Sequence, residues 1–181
     1  MAKAKTKAKT KAKTGAKASP KKTVKAPAKR MAKNAEPPTP ATVGAHSNKE
    51  IYRRFCAEVL NGGNFDVATQ YLDPVVVSHS PLPGQQPGAY EFIAALMAMR
   101  KAFPDLHADA THLVAEGDHV AARFQVTATH HGDFVGIPAT GRKIHYEEFV
   151  MVRFAGGRIV EHWAVADGLA LMQQLEGAPT H

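Results

Sequence analysis

Two side chains near the end of the chain could take part in chemistry. The run EHWAVAD places Trp163 four residues before Asp167, and the apolar run LALM follows after one glycine. Asp167 ends a stretch rich in Val and Trp, where desolvation favours the neutral acid and makes proton exchange useful near neutral pH. Aspartate is also a preferred N-cap residue, so a cap on a helix starting at Leu169 explains it equally well. The sequence leaves both roles open.

Other side chains could bind a substrate. His79 follows VVVS and could donate to a carbonyl and stabilise an enolate oxygen, or it could be an ordinary hydrogen-bonded residue at a strand end. Trp163 could form the wall of a pocket for a planar ring, although packing in the core is just as good an explanation. The same two alternatives apply to three further apolar side chains: Phe134, Ile137 and Phe149.

Several classes of site lack their motifs. The chain has ten histidines, but it contains neither H-E-x-x-H nor Cys/His spacing for a metal. Glu147 and Glu148 are neighbours on a predicted strand, so their side chains point to opposite faces and do not form a carboxylate pair. G-x-S-x-G and P-loop motifs are absent as well. We therefore expect no metal site, and neither serine-hydrolase nor nucleotide chemistry has support in the sequence.

The elements that must position these residues follow from periodicity. Up to Ala102, apolar residues mostly recur every three or four positions, which is helical spacing. From His107 onward they recur at every second position, as in a strand. Ser47 and Glu50 form an S-x-x-E capping box, which predicts that the first helix begins there. Helices followed mainly by long antiparallel strands indicate an α+β fold, a curved sheet with helices packed on one face. The predicted helices are 47–60, 65–72, 89–102 and 169–175, and the predicted strands are 75–79, 107–115, 120–129, 142–154 and 158–165.

Charge divides the chain into three predicted segments. Residues 1–33 hold thirteen of the twenty-three Lys and Arg and none of the sixteen Asp and Glu, so the remainder has a balance of −6 (10 − 16). We expect a disordered basic tail over 1–34, a Pro-rich linker over 35–46 and a folded domain over 47–181. One cysteine excludes an internal disulfide and fits a reducing compartment. The sequence contains no run of about 18 apolar residues, so it predicts no membrane span.

The tail is similar in composition to the Lys-Ala-Pro tails of linker histones and of some nucleoid-associated proteins. Such tails bind phosphate backbones through counterion release, without reading sequence. A solubilising extension with no partner explains the composition equally well. We expect a cytoplasmic protein, with nucleic-acid contact through residues 1–33 as an open alternative.

Three segments together resemble the SnoaL-like polyketide cyclases, also called ester cyclases. These are GDFVGIPATGRKI (132–144), GGRIVEHWAVADGLALMQQL (156–175), and His79 with its following Pro/Gly loop and helix. The resemblance implies a cone-shaped α+β fold of the nuclear-transport-factor-like superfamily, with N-terminal helices on the concave face of the sheet. It also implies a deep pocket, a homodimer packed sheet to sheet, and cofactor-free aldol ring closure of aromatic polyketide methyl esters.

The resemblance also assigns roles to residues. It places Asp167 at the acid/base carboxylate of the characterised cyclases, which are assisted by a histidine on the strand predicted over 142–154. Counting back from Asp167 gives Arg153 at that place, and His145 lies on the same strand. Trp163 is expected to share a face of the next strand with Ile159 and with Glu161, a further candidate for substrate binding. A cofactor-free cyclase acting on a carbonyl-containing small molecule is therefore our first hypothesis. Hydrolase or dehydratase work in the same pocket stays open, and so does a non-catalytic, dimeric ligand-binding module tethered to nucleic acid by its tail.

Overall fold

The structure is a computed structural model that describes residues 40–177, with side chains from Gly44 onward. The basic tail and the first part of the predicted linker lie outside the described residues. Helices and strands follow one another in the predicted order, which confirms the α+β fold. They are α1 (Pro40–Phe55), a π-helical turn (Cys56–Asn61), a 3-10 helix (Phe65–Gln70), β1 (Leu72–Ser78), α2 (Ala89–Ala102), β2 (His107–Glu116), β3 (His119–Thr129), β4 (Lys143–Ala155), β5 (Arg158–Ala166) and α3 (Gly168–Glu176).

The first helix begins earlier than its predicted capping box. Helix α1 starts at Pro40, so Ser47 lies inside it and the predicted linker is helical from Pro40 onward. Proline is compatible with a first helical turn because its missing N–H would have no partner there. Glu50, the other half of the expected box, instead accepts a hydrogen bond from Arg53 at 3.4 Å. The capping-box prediction is therefore wrong.

The five strands form one mixed sheet in the order β1-β5-β4-β3-β2. Strand β1 runs parallel to β5, and the other neighbouring pairs are antiparallel. Helix α1 packs on β2 and β3, α2 packs on β1, and α3 packs on β4. The curved sheet thus holds α1 and α2 on its concave side, as the resemblance implied for the N-terminal helices.

Alternation along β3 and β4 shows which side chains face the helices. On β3 the side chains of Val120, Ala122, Phe124, Val126 and Ala128 are buried. They lie opposite the even-numbered residues of β4, so the even-numbered positions of both strands share the inner face. On β4 these positions are Ile144, Tyr146, Glu148, Val150, Val152 and Phe154, a row in which Glu148 is the only charged side chain.

A β-bulge at Val160 changes the faces of β5. Arg153 pairs with Glu161, but the next residue on β4, Phe154, pairs with Ile159. The extra residue leaves Ile159 buried and turns His162 to the inner face, opposite Val152. The expectation that Ile159, Glu161 and Trp163 share one face is wrong for Ile159, because the bulge interrupts the alternation between it and the other two.

Candidate active site

A cavity of about 190 Å³ lies between the concave face of the sheet and the helices. Its walls come from α1, the π-helical turn, α2 and the inner faces of the strands. Such a concave, largely apolar site with a few polar groups is typical of small-molecule binding. Apolar side chains that form much of its lining include Phe55, Val59, Leu96, Phe124, Val126 and Val150.

Among the described residues, Glu148 is the one acidic side chain that lines this cavity. It projects from the middle of β4 between Tyr146 and Val150, which share its face. Burial raises the pKa of its carboxyl above the ordinary value for glutamate. No hydrogen bond between residues 44–177 engages this carboxyl, so it is available to a bound molecule. A carboxyl in such surroundings can exchange protons closer to neutral pH than an exposed one.

His162 lines another part of the same cavity. Its Nδ1 lies 3.1 Å from the Ser78 hydroxyl, and the ring of Phe92 meets the imidazole edge to face at 5.0 Å. Burial, and secondarily the charge of His79, lowers the pKa of His162 to about 4, so the ring is neutral at pH 7. If the Ser78 hydroxyl donates to Nδ1, then Nε2 carries the proton and is a hydrogen-bond donor. Among the described residues, Nε2 has no hydrogen-bond partner.

Glu148 and His162 reach different parts of the cavity. His162 pairs across the sheet with Val152, four residues along β4 from Glu148. Four residues of extended chain correspond to about 13 Å along the strand. Only the curvature of the sheet can bring the two side chains closer together than this distance. The two groups are therefore placed to contact two different positions of one bound molecule.

Two tyrosines line the cavity beside Glu148. Tyr52 on α1 is 2% exposed and Tyr146 on β4 is 6% exposed. Burial raises the pKa of both phenols, with smaller contributions from the neighbouring Cys56 for Tyr52 and from Glu148 for both. Both hydroxyls therefore keep their protons and act as hydrogen-bond donors at neutral pH.

Arg100 also borders the cavity, but its guanidinium is committed to the backbone. Its Nη1 donates to the carbonyl oxygens of Pro104 at 3.1 Å and Leu106 at 2.9 Å, and its Nη2 donates to those of Leu60 and Asn61. These bonds satisfy carbonyls at the end of the π-helical turn and after α2. The Nη donors of Arg100 are therefore already used by the backbone.

Asp167 lies outside the cavity. It is exposed, its Oδ1 accepts the Ala170 N–H at 3.0 Å, and it occupies the N-cap of α3. Its main-chain N–H donates to the Glu147 carbonyl at 2.9 Å, so it follows directly after Ala166, the register partner of Glu148. The expectation of a water-poor setting for Asp167 is wrong, because β5 has left the cavity wall by this point. The hydrogen bond supports its alternative role as a cap.

Four further predicted site residues meet on the outer face of the sheet. His79 stacks on Trp163 with ring centroids 4.5 Å apart, and its Nε2 lies 2.8 Å from Glu161 Oε2. Arg153 Nε donates to Glu161 Oε1 at 2.8 Å. Arg153 and then His79 lower the pKa of Glu161, which stays ionised. The structure brings these four residues together on the face opposite the cavity, to which the bulge at Val160 turns Glu161 and Trp163.

The remaining predicted residues also lie away from the cavity. His145 and Phe149 are exposed at odd-numbered positions of β4, on the outer face. Phe134 and Ile137 exchange two backbone hydrogen bonds, of 3.0 and 2.9 Å, and Phe134 packs against Phe103 at 5.1 Å. Core packing, the alternative left open for Phe134 and Ile137, is what their contacts support.

Sequence reasoning missed Glu148 and His162. Glu148 stands in an otherwise apolar row at alternate positions of β4, and that signal was readable in the sequence. The signal is hidden when the two adjacent glutamates are read only as a candidate pair. His162 had no comparable signal, because its inward orientation depends on the bulge at Val160.

No metal site and no membrane span are found in the part of the chain that the structure describes. Within residues 44–177, no three His, Cys, Asp or Glu side chains come together as metal ligands. None of the helices between residues 40 and 177 is both long and apolar enough to cross a bilayer.

The chain is similar to known proteins over most of the described region. Aklanonic acid methyl ester cyclase DnrD of Streptomyces peucetius is 30% identical over 131 residues, covering 70% of this chain and 88% of DnrD. A SnoaL-like polyketide cyclase from Agrobacterium tumefaciens is 27% identical with a TM-score of 0.62, covering 71% of this chain and 97% of that one. TsrD of Streptomyces laurentii is 27% identical with a TM-score of 0.66, covering 72% and 95% of the respective chains.

The family resemblance inferred from three short segments extends over the whole described domain. The SnoaL-like polyketide cyclase family matches residues 50–175, from α1 to the end of α3. Together with the α+β fold and the cavity, this match shows that the chain belongs to the SnoaL-like polyketide cyclase family.

Proposed function

We propose that the protein is a cofactor-free cyclase that closes rings by acid/base catalysis on a carbonyl-containing small molecule. The observation that carries the proposal is the lone carboxyl of Glu148 in an apolar cavity, with the neutral imidazole of His162 at a second position. Ring closure of the aldol type needs one group that removes a proton next to a carbonyl and another that stabilises a developing oxyanion. The cavity offers both.

Glu148 is the base in this proposal. A desolvated carboxylate whose pKa is raised is a stronger base than an exposed one. His162, with a pKa of about 4, is a weak base and suits the role of a neutral hydrogen-bond donor. The carboxylate of Glu148 takes a proton from a carbon beside a carbonyl, which leaves an enolate. Because the proton is only borrowed, no oxidant, reductant or co-reactant is needed.

Carbon–carbon bond formation follows within the same molecule. The enolate carbon attacks a second carbonyl carbon, whose C=O π bond opens to an alkoxide. His162 donates a hydrogen bond from Nε2 to this oxygen as its charge develops. The alkoxide gains a proton and Glu148 releases the one that it took, which regenerates the carboxylate and leaves a cyclic alcohol. The apolar walls keep water away from the enolate.

The proposal is tested with aklanonic acid methyl ester, the compound in the name of the relative DnrD. Ring closure is followed by liquid chromatography for the wild type, Glu148→Gln and Asp167→Asn. Glutamine keeps the size of Glu148 and removes the base, so we expect ring closure to be lost while the fold is retained. Asp167→Asn keeps a side-chain oxygen for the cap, so we expect it to be active.

A reversed result, with Glu148→Gln active and Asp167→Asn inactive, would return the catalytic role to Asp167. That role for Asp167 stays a prediction until the two variants are compared. Native mass spectrometry of the purified wild type widens the search for other substrates, because a co-purified compound reveals what occupies the cavity.

We also propose that two copies pack through the outer face of the sheet. This face exposes Val114, Phe149 and Val165, which are 64%, 55% and 72% exposed. They surround a shallow apolar depression that also includes Met151 and Trp163. A contiguous apolar patch of this kind is typical of an interaction surface. Light scattering coupled to size exclusion tests the proposed homodimer.

A second candidate function concerns the basic tail. Thirteen Lys and Arg without any acidic residue in positions 1–33 favour contact with a phosphate backbone. The tail would then tether the ligand-binding domain to nucleic acid, whether or not the domain is catalytic. Binding to random-sequence DNA should weaken steeply with salt and should be lost when residues 1–33 are removed.

A further inference from the structure

Tyr146 also lines the cavity, and the proposed reaction has so far given it no role. It lies two positions before Glu148 on the same face of β4, about 7 Å along the strand. It is 6% exposed and lines the cavity. Among residues 44–177, the Tyr146 hydroxyl has no hydrogen-bond partner, and it is not one of their fully buried atoms. It is therefore open to the cavity that Tyr146 lines.

Comparison with Tyr71 shows what a structural tyrosine does in this fold. The Tyr71 hydroxyl donates to Glu58 Oε2 at 2.6 Å, and both residues lie outside the cavity lining. Tyr52, the other tyrosine of the cavity, has the Cys56 thiol beside its hydroxyl. Tyr146 lacks both kinds of contact. Its donor is therefore available to whatever molecule occupies the cavity next to Glu148.

We propose that the Tyr146 hydroxyl donates a hydrogen bond to the substrate carbonyl whose neighbouring carbon gives up its proton to Glu148. The inference rests on the proposed function. In this arrangement Tyr146 and Glu148 act on one carbonyl unit, since they are neighbours on one strand face, and His162 acts on the second. The C–H electron pair moves into the carbonyl, and the oxygen that gains negative charge is the one that Tyr146 contacts. Tyr146 keeps its own proton throughout.

The test measures proton removal without ring closure. The probe is 2-tetralone, a bicyclic ketone, and the readout is the rate at which its α-protons exchange in D2O, followed by mass spectrometry and corrected for buffer alone. Full-length wild type is compared with Tyr146→Phe, Glu148→Gln and Tyr71→Phe. Rates are recorded against probe concentration, so that kcat and KM are separated.

The expected result is a loss of kcat by roughly 100-fold in Tyr146→Phe with little change in KM, because a donor to a developing oxyanion contributes mainly in the transition state. Tyr71→Phe is the matched control: it loses a hydrogen bond that stabilises the fold and should keep the exchange rate of the wild type. Melting temperatures of all variants check folding.

The outcomes separate the two proposals. If Tyr146→Phe exchanges the probe as fast as the wild type while Glu148→Gln is slow, the role of Tyr146 is refuted and Glu148 remains the base. If Tyr71→Phe slows exchange as much as Tyr146→Phe, the effect comes from the fold, and the role of Tyr146 is again refuted. If Glu148→Gln exchanges as fast as the wild type, or the wild type is no faster than buffer, the proposed function fails as well.

Discussion

Acidification should destabilise the protein through His162. Burial lowers the pKa of this imidazole from its ordinary value of 6.5 to about 4 in the folded state. Between these two values the unfolded chain binds a proton that the folded chain does not, so stability is lost as the pH falls from about 6.5 to 4. A difference of about 2.5 pH units corresponds to about 3 kcal/mol of unfolding free energy, at about 1.36 kcal/mol per unit.

The assay is urea unfolding at a fixed protein concentration, followed by circular dichroism at several pH values from 7.5 to 4. In His162→Gln the ionisable group is gone, so we expect this variant to lose less stability than the wild type over that range. His107→Gln is the control, because His107 is exposed on β2 and its ring is in water in both states. Equal losses in the wild type and in His162→Gln would refute the reasoning that the imidazole is desolvated.

Three further predictions concern single side chains. Glu148→Gln should gain stability relative to the wild type on going from pH 4.5 to 7.5, because a raised carboxyl pKa means that the folded state resists ionisation. Urea midpoints of both proteins at the two pH values measure this. A difference between their midpoints that does not change with pH contradicts it. Asp167→Ala should lower the unfolding free energy by about 1 kcal/mol through loss of the α3 cap, whereas Asp167→Asn should lose little; equal losses in the two would argue against the cap. Phe149→Glu should convert the proposed dimer to a monomer, as measured by light scattering, while the exposed control Glu91→Gln on α2 should not.

The order of elements and most of their boundaries could be predicted because periodicity is local. The expected limits of α2 agree with the structure, and those of β3 and β4 differ by one residue. The helix start at Pro40 could not be found from the capping box, since Ser and Glu at that spacing also occur inside a helix. Clear alternation made β3 the easiest strand to read.

The candidate site was harder to predict, because it depends on which face each strand residue occupies. The bulge at Val160 moves Glu161 and Trp163 to the outer face and His162 to the inner one. No residue type marks that bulge in the sequence, and one extra residue exchanges the two faces of a strand. Glu148 needed no such information, because its place in an apolar row of β4 was visible in the sequence.

The pH dependence of 2-tetralone α-proton exchange, compared between the wild type and Glu148→Gln, tests the central role of Glu148 most directly. We predict that the rate with the wild type rises with pH through an ionisation above the ordinary range of glutamate and then levels off, and that Glu148→Gln lacks this rise. Asp167→Asn should keep the profile of the wild type. An unchanged profile in Glu148→Gln, or a profile lost in Asp167→Asn, would contradict the assignment of the base to the cavity.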